Sequence, residues 1–390
     1  MAQLKLAAAA LAVVFATCDA LMQPSNRRDF VTQSIATASA SASVLSLPQQ
    51  SNALERAPQQ SISLPPIGLG AWAWGDSLFW GYDKKNDNDL KEVFKYALDN
   101  KQAFFDTAEL YGLGRSEELI GKFKEELCST PEEREQIIVA SKFAALPWRT
   151  SRESVVKACK ASVDRLGGPI ELYQIHFPNS FSNEEYWDGI ADCYDQGLVK
   201  AVGVSNYGKD AVKACHDHLA KRGIKLASNQ IQMSLLYRWP IENGLLDTCK
   251  ELDVKVLAYS PLALGYLTGK YTASNLPSGP RAKIGKQLFQ DPSYENLLSL
   301  MRTIAAKHGD EVPIAQVALN WCISKGTIPI PGARTIRQAK QNLSTLEWKL
   351  SAEEVQQLDD VSMKTTGFLT PDKNPFPRKD VNTGLIMYDS

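Results

Sequence analysis

Ala103-Phe-Phe-Asp-Thr-Ala-Glu-Leu-Tyr-Gly112 is a short apolar run that ends on an aspartate, with a tyrosine five residues beyond it. An apolar run of that length, closed by a polar cluster and a glycine, reads as a buried strand. Asp106 and Tyr111 then lie where the strand opens into a loop. Strand ends opening into loops are where parallel α/β folds keep their chemistry.

Similar apolar runs recur on both sides of this stretch, near Ile67 to Trp74, Ile137 to Phe143, Leu172 to Phe177, Lys200 to Ser205, Leu226 to Met233, Val254 to Ser260 and Thr327 to Pro331. Between them lie segments with helical spacing of apolar residues, among them Asn88 to Asp99, Ser151 to Leu166, Asn183 to Gln196 and Asp210 to Arg222. Eight strands alternating with helices over roughly 300 residues fit a closed parallel (β/α)8 barrel better than an open sheet. The barrel is expected over residues 60–362 as a single domain. Two segments exceed the alternation: Gly265 to Pro292, rich in Gly, Pro, Lys and Ser, and the tail at 363–390. Loops of that length in a compact domain are functional lids or disordered.

Gly68-Leu-Gly-Ala-Trp-Ala73 satisfies a Gly-x-Gly-x-x-Ala dinucleotide fingerprint. A working fingerprint opens a helix whose N-terminus holds the pyrophosphate. Here it runs into Trp74-Gly-Asp-Ser-Leu-Phe-Trp-Gly-Tyr82, an aromatic loop without helical period. The glycines therefore read as the start of the first barrel strand. Trp72, Trp74, Phe79 and Trp80 read as pocket walls, with core or surface packing as the alternative for each.

The 390 residues are 44% hydrophobic with a formal net charge of -1, which gives no electrostatic reason to expect nucleic acid or an anionic membrane as partner. Seven cysteines form no Cys-x-x-Cys pair and no zinc spacing, so buried free thiols are expected, and no metal. His216 and His218 are two apart on a helical segment and point in different directions, which argues against chelation.

The N-terminus belongs to another class of sequence. Lys5, the apolar run Leu6 to Phe15 and Cys18-Asp-Ala20 follow the pattern of a signal peptide over residues 1–20, and the run is too short to span a membrane. Residues 21–53 are rich in Ser, Thr, Ala and Gln, with Arg27, Arg28 and a single acidic Asp29, as in a transit peptide. Together they resemble the bipartite presequence of plastids reached through the secretory route, which places the mature chain in the stroma. The arginine pair also permits a twin-arginine signal towards the thylakoid lumen, and plain export or a disordered N-terminus is the remaining alternative.

A carbonyl that accepts hydride develops negative charge on oxygen, which needs a proton and a preorganised polar site. A tyrosine, with an ordinary pKa of about 10, donates near neutral pH when a nearby cation pulls that value down. Tyr111 and Asp106 at the second strand, Lys142 at the third and His176 at the fourth would meet at one mouth of the barrel. Each has a structural alternative: a helix cap for Asp106, packing for Tyr111, solvation for Lys142 and a satisfied core position for His176. Their appearance together at successive strand ends is the stronger signal.

Phe105-Asp-Thr-Ala-Glu-Leu-Tyr-Gly112, Ala140-Ser-Lys142, Gln174-Ile-His176, Gly203-Val-Ser-Asn206, Val256-Leu-Ala-Tyr-Ser-Pro-Leu262 and Ile330-Pro-Gly-Ala-Arg-Thr335 together resemble the aldo-keto reductase family, in order from Leu64 to Leu346. Gly70-Ala-Trp-Ala-Trp-Gly75 and Lys142-Phe-Ala-Ala-Leu-Pro-Trp-Arg149 are closest to its chloroplast members in plants and cyanobacteria. The resemblance implies that Tyr111 is the proton donor, that Lys142 and Asp106 tune it, and that His176 orients the carbonyl. It places the carboxamide of NADPH at Ser205, Asn206 and Gln230, the ring on Tyr259, and the pyrophosphate at Ser260, Leu262 and Gly265. Arg334 would grip the 2′-phosphate with paired donors, and Gln338 and Asn342 would face the adenine. Trp72, Trp74, Trp148 and Phe177 would line the substrate pocket.

The chain departs from the family pattern at Phe177, where many relatives have tryptophan, and at Gln232-Met233, where they have Glu-Tyr. Gly332 stands where the family has a lysine for the 2′-phosphate, so preference for NADPH over NADH rests on Arg334. The expected protein is a monomeric, plastid NADPH-dependent reductase of small aldehydes or ketones. A pyridoxal reductase, or a redox-sensing module like the potassium-channel β subunits that share this barrel, are the alternatives.

Overall fold

The computed structural model describes residues 62–365, apart from 78, 147, 179–182 and 278–280, together with two short strands further on. The signal-peptide and transit-peptide segments expected at 1–53 lie outside the described residues, as does most of the tail at 363–390. Eight strands form one parallel sheet in chain order: β1 (Leu69–Gly70), β2 (Phe104–Asp106), β3 (Ile138–Phe143), β4 (Leu172–Ile175), β5 (Val202–Ser205), β6 (Leu226–Gln232), β7 (Lys255–Tyr259) and β8 (Ile328–Pro329). The sheet closes on itself. Gly68 N–H donates to the Pro329 carbonyl at 3.0 Å and Gly70 N–H to the Pro331 carbonyl at 2.9 Å.

That seam accounts for the misleading glycine fingerprint. A Cβ on Gly70 would stand 2.9 Å from the Ile330 carbonyl oxygen, and one on Gly68 would stand 2.7 Å from the Phe104 ring. The glycines let the first and last strands meet, and no helix follows them. The aromatic loop leads instead to the helix Asp87–Asp99.

Strand parity decides what reaches the lumen, because alternate residues face opposite sides of a sheet. Phe105, Val139, Phe143, Tyr173, Ile175, Val202 and Val204 join the core cluster beneath the surrounding helices. The opposite parity, Phe104, Ala140, Leu172, Ala201, Leu257 and Ile330, forms a separate cluster inside the barrel. Moving two residues towards the strand ends gives Asp106, Lys142 and Gln174 on that same inner side. The polar residues of the site thus lie on the lumen face as a consequence of an apolar floor at the matching positions.

Helices Arg152–Leu166, Glu184–Asp195 and Lys209–Ala220 lie within a residue or two of the sequence reading. Local signals set their ends: the Ser151 side chain accepts from Ser154 N–H, and Gly167 closes the first helix in the left-handed conformation at φ 70°. The segment Gly265 to Pro292 departs from its reading as a long loop. It contains the helix Arg281–Leu288, whose Ile284 and Leu288 pack into a core cluster with Tyr266 and Tyr294. The helix Ala352–Lys364 carries a capping box between Ser351 and Glu354 and runs past the expected end of the barrel at 362. All six described cysteines are buried and free. His218 pairs with Asp188 at 2.9 Å and His216 with Asp217 at 3.0 Å, so the two rings serve different partners.

Candidate active site

Lys142 is wholly buried and its ammonium group is committed in three directions. It donates to Asp106 Oδ1 at 2.6 Å, to the Thr107 carbonyl at 2.7 Å and to the Tyr111 hydroxyl at 3.5 Å. The second Asp106 oxygen accepts from Gln230 Nε2 at 2.6 Å, across the barrel. Every oxygen of the carboxylate is therefore engaged, which is the condition for keeping a buried ion pair. Tyr111 begins the turn Tyr111–Gly114 after β2, and its ring meets the His176 ring edge-on at 5.9 Å between centroids. The structure thus brings Asp106, Tyr111, Lys142 and His176 together at the C-terminal mouth.

The electrostatics differ from the sequence expectation. Burial pushes the Tyr111 phenol well above its ordinary range, and Asp106, Tyr259 and Asp76 push the same way. Burial also pulls the Lys142 ammonium down, against the restoring pull of Asp106. A cation near the phenol was expected to lower it; burial, with the Asp106 charge next, raises it instead. The phenol consequently holds its proton through the neutral range.

A second polar row lies beside the first. Ser205 donates to the Gln230 carbonyl at 2.9 Å, and Asn206 Nδ2 donates to Ser205 Oγ at 2.9 Å and to the His176 carbonyl at 3.0 Å. Tyr259 donates to Asn206 Oδ1 at 2.9 Å. Asn206 adopts φ 63°, a left-handed conformation that asparagine tolerates. Beyond Tyr259 the chain is unusual: Ser260, Ala263 and Leu264 have φ of 50°, 48° and 57°, followed by Gly265 at 99°. Each non-glycine residue there costs about 1–2 kcal/mol. Ala263, Leu264 and Gly265 are three left-handed residues in succession, and the Ala263 and Gly265 N–H groups donate to the Ser260 and Leu262 carbonyls at 2.8 and 2.9 Å. Leu262 lies inside this run and caps the turn Ala263–Thr268.

Arg334 is exposed, and its guanidinium donates to the Trp80 carbonyl at 3.0 Å. Its N–H is held by Gln338 Oε1 at 2.8 Å, just before the helix Ile336–Leu343, which Thr335 caps. Asn342 is nearly buried and donates to the Gly332 carbonyl at 3.3 Å, fixing the loop after β8. Carboxamide-sized polar groups, the left-handed turn after β7 and a helix N-terminus with an arginine follow one another along the mouth, an order that fits a dinucleotide.

Two of the expected pocket residues lie elsewhere. Trp74 is fully buried, packs on Phe105 and Phe123, and donates its indole N–H to the Ala333 carbonyl at 2.8 Å. It pins β1 to the end of β8 and does not line a pocket. Trp148 is 60% exposed and stands on the rim. Trp72 lies against Tyr111 with centroids 6.1 Å apart, and Phe177 adjoins the His176 ring at 5.3 Å. The sequence reading missed the Glu109 clamp, which accepts from Ala144 N–H at 2.6 Å and from Arg149 at 2.8 Å, tying the loop after β3 to the one after β2. Its signal was Glu109 within the Asp106–Tyr111 stretch itself.

A closed parallel barrel whose mouth holds a buried lysine–carboxylate pair against a tyrosine defines a single-domain oxidoreductase scaffold, distinct from the Rossmann dehydrogenases. The chain belongs to the aldo/keto reductase family, whose family model matches residues 66–363. It is therefore an oxidoreductase of small carbonyl compounds. It is 43% identical over 307 residues to the chloroplastic pyridoxal reductase of Arabidopsis thaliana, covering 76% of this chain and 83% of that one. Among solved structures it is similar to the glycerol dehydrogenase of Gluconobacter oxydans, with a TM-score of 0.65, 26% identity and coverage of 79% and 94%. It is also similar to an aldo-keto reductase from Klebsiella pneumoniae in complex with NADPH, with a TM-score of 0.60, 25% identity and coverage of 83% and 95%. Among the described residues no helix is long and apolar enough to cross a membrane.

Proposed function

We propose that the chain is an NADPH-dependent reductase of aldehydes or ketones in which Tyr111 donates the proton. The observation that carries this is the approach of Lys142 Nζ to the Tyr111 hydroxyl at 3.5 Å while Asp106 holds the same ammonium at 2.6 Å. Ser205, Asn206, Tyr259, the left-handed run to Gly265 and Arg334 would hold NADPH, which would supply the hydride. The carbonyl oxygen takes its place between the Tyr111 hydroxyl and the His176 ring. As negative charge gathers on that oxygen, the phenol passes its proton across. Lys142 then faces the forming phenolate, and Asp106 and Gln230 keep the lysine from moving towards it. A phenol that is reluctant to ionise alone is thereby kept loaded until the acceptor appears.

A pyridoxal substrate is the second reading, supported by the named activity of the Arabidopsis relative. That relative's chloroplastic label also supports a plastid address, with residues 1–20 and 21–53 as the presequence, 60–362 as the catalytic barrel and 363–390 as a tail or substrate loop. Oxidation of NADPH by a panel of carbonyls, pyridoxal included, tests the activity. Tyr111→Phe is expected to lower kcat by at least ~100-fold with NADPH affinity kept. A Tyr111→Phe protein as active as the wild type would overturn the donor assignment, and tight NADPH binding without turnover on any carbonyl would favour the sensing module.

A further inference from the structure

Trp80 belongs to the loop between β1 and the helix Asp87–Asp99, yet two other loops hold it. The Arg281 guanidinium lies over its indole, 4.7 Å from the ring centroid, and its carbonyl accepts from Arg334 at 3.0 Å. The helix Arg281–Leu288 delivers the first of these arginines. Ile284 and Leu288 anchor that helix in the core, and the Tyr266 hydroxyl donates to the Arg281 carbonyl at 2.5 Å. The fit is close: a Cβ on Gly285 would stand 2.6 Å from the Tyr266 hydroxyl. The Arg281 side chain has few polar partners, since Nη1 donates to the Tyr271 hydroxyl at 3.4 Å and the buried Nε meets no acceptor among the described residues. Its main contact is therefore the ring face, a cation over an electron-rich indole.

From Trp80 the contacts run to the reacting hydroxyl. Trp80 meets Trp72 edge-on at 5.4 Å and Phe79 at 5.2 Å, and Trp72 stacks on Phe79 at 5.0 Å. Trp72 in turn lies 6.1 Å from Tyr111. Close-packed rings pass a displacement from one to the next. Holding Trp80 thus holds the ring that stands beside Tyr111.

We infer that Arg281 is a positioning residue for substrate recognition: acting through Trp80, it sets the wall of rings beside Tyr111 against which a carbonyl compound bearing an aromatic ring lies. This rests on the reductase reading of the site and deepens it by giving aryl carbonyls as the class the wall favours. A short aliphatic aldehyde reaches Tyr111 and His176 without using the wall, so Arg281 is immaterial to it.

The test is a double-mutant cycle. Values of kcat and KM for 4-nitrobenzaldehyde and for propanal are measured with NADPH in the wild type, Arg281→Ala, Trp80→Leu and the double variant. Arg281→Ala keeps the hydrogen bond from Tyr266, which goes to the backbone, and so keeps the start of the helix. It is expected to raise KM for 4-nitrobenzaldehyde about three- to tenfold, with kcat and both propanal constants changed by less than about twofold. In the Trp80→Leu background it is expected to add nothing, because the ring it acts through is gone. Arg281→Lys, which keeps a cation for the ring, is expected to recover most of the loss. Equal effects on both aldehydes, or the same further loss in the Trp80→Leu background, overturn the inference. So does a loss confined to KM for NADPH, which would give Arg281 to the cofactor. Near-UV circular dichroism of the unliganded protein reads the rings without turnover: Arg281→Ala is expected to change the tryptophan bands in the wild type and not in Trp80→Leu. Unchanged bands in the wild-type background overturn the inference as well. If the wild type reduces neither aldehyde, the reductase reading fails, and the dichroism comparison still decides whether Arg281 positions Trp80.

Discussion

Lys142→Met removes the cation that faces the phenol, and its consequences separate catalysis from stability. At 3.5 Å, a full phenolate and the ammonium attract by about 5 kcal/mol at an effective dielectric of about 20. With about half a charge developed in the transition state, roughly 2–3 kcal/mol is lost, or about 30- to 160-fold in kcat. Stability falls for a different reason. Asp106 keeps only the Gln230 amide as a partner, and stranding one member of a buried pair costs about 3–5 kcal/mol. Adding Asp106→Asn removes the stranded charge, so the double variant is expected to regain most of that stability while its turnover stays low. Urea denaturation midpoints and steady-state NADPH oxidation are measured on the wild type, the single variant and the double variant. A Lys142→Met protein with kcat within threefold of wild type would refute the electrostatic role. A double variant no more stable than the single one would refute the buried-pair account while leaving the catalytic one standing.

Arg334→Ala is expected to raise KM for NADPH by about 10- to 100-fold, the worth of a charge-assisted contact, and to leave KM for NADH nearly unchanged; equal effects on both cofactors would remove the 2′-phosphate assignment. Asp359 accepts from Arg238 at 2.7 Å and from the Trp321 indole at 3.0 Å, and it pairs with Lys325. Burial pushes its carboxyl up, but these donors outweigh burial and hold it below the usual range. A depressed folded value contributes stability that is complete above the unfolded value and lost as pH falls through the folded one. Asp359→Asn is therefore expected to cost about 1–3 kcal/mol at pH 7, reduced from a fully buried pair by the remaining solvent contact. The gap should shrink below about pH 4, and urea midpoints at the two pH values check it.

The parts of the site that were legible in the sequence are those that parity and position along a strand determine. Asp106 closes an apolar run and Lys142 is the last residue but one of another, and a period of two puts both on the lumen side once Phe104 and Ala140 are known to form its floor. His176, one residue beyond β4, shares that parity with Leu172 and Gln174. Contacts between distant strands were not legible. Gln230 reaches Asp106 across 124 residues of chain, and only the stagger of a closed sheet brings them level. Trp74 was misplaced because an aromatic loop carries no period to say which ring turns inward; its indole is taken by Ala333 at the far end of the chain. The helix Arg281–Leu288 was hidden by the glycines and prolines before it, and its core-facing Ile284 and Leu288 are too few to mark a period.

The Tyr111 phenol lies among the groups that the sequence indicated, and burial acts on it against the direction expected from the cation. A sequence can place a cation next to a hydroxyl, but it does not report how much water both have lost. Here Lys142 and Tyr111 are both stripped of solvent, and Asp106 balances the ammonium at 2.6 Å. The Lys142–Asp106 pair is therefore nearly neutral beside a phenol that keeps its proton. Such a site gains its stabilisation only when charge moves: as the proton leaves Tyr111, the lysine at 3.5 Å meets a negative oxygen that the resting enzyme did not contain. An interaction absent from the ground state and present in the transition state lowers the barrier without tightening the binding of substrate. An acid already lowered by its neighbour would have used part of that interaction before the carbonyl arrived.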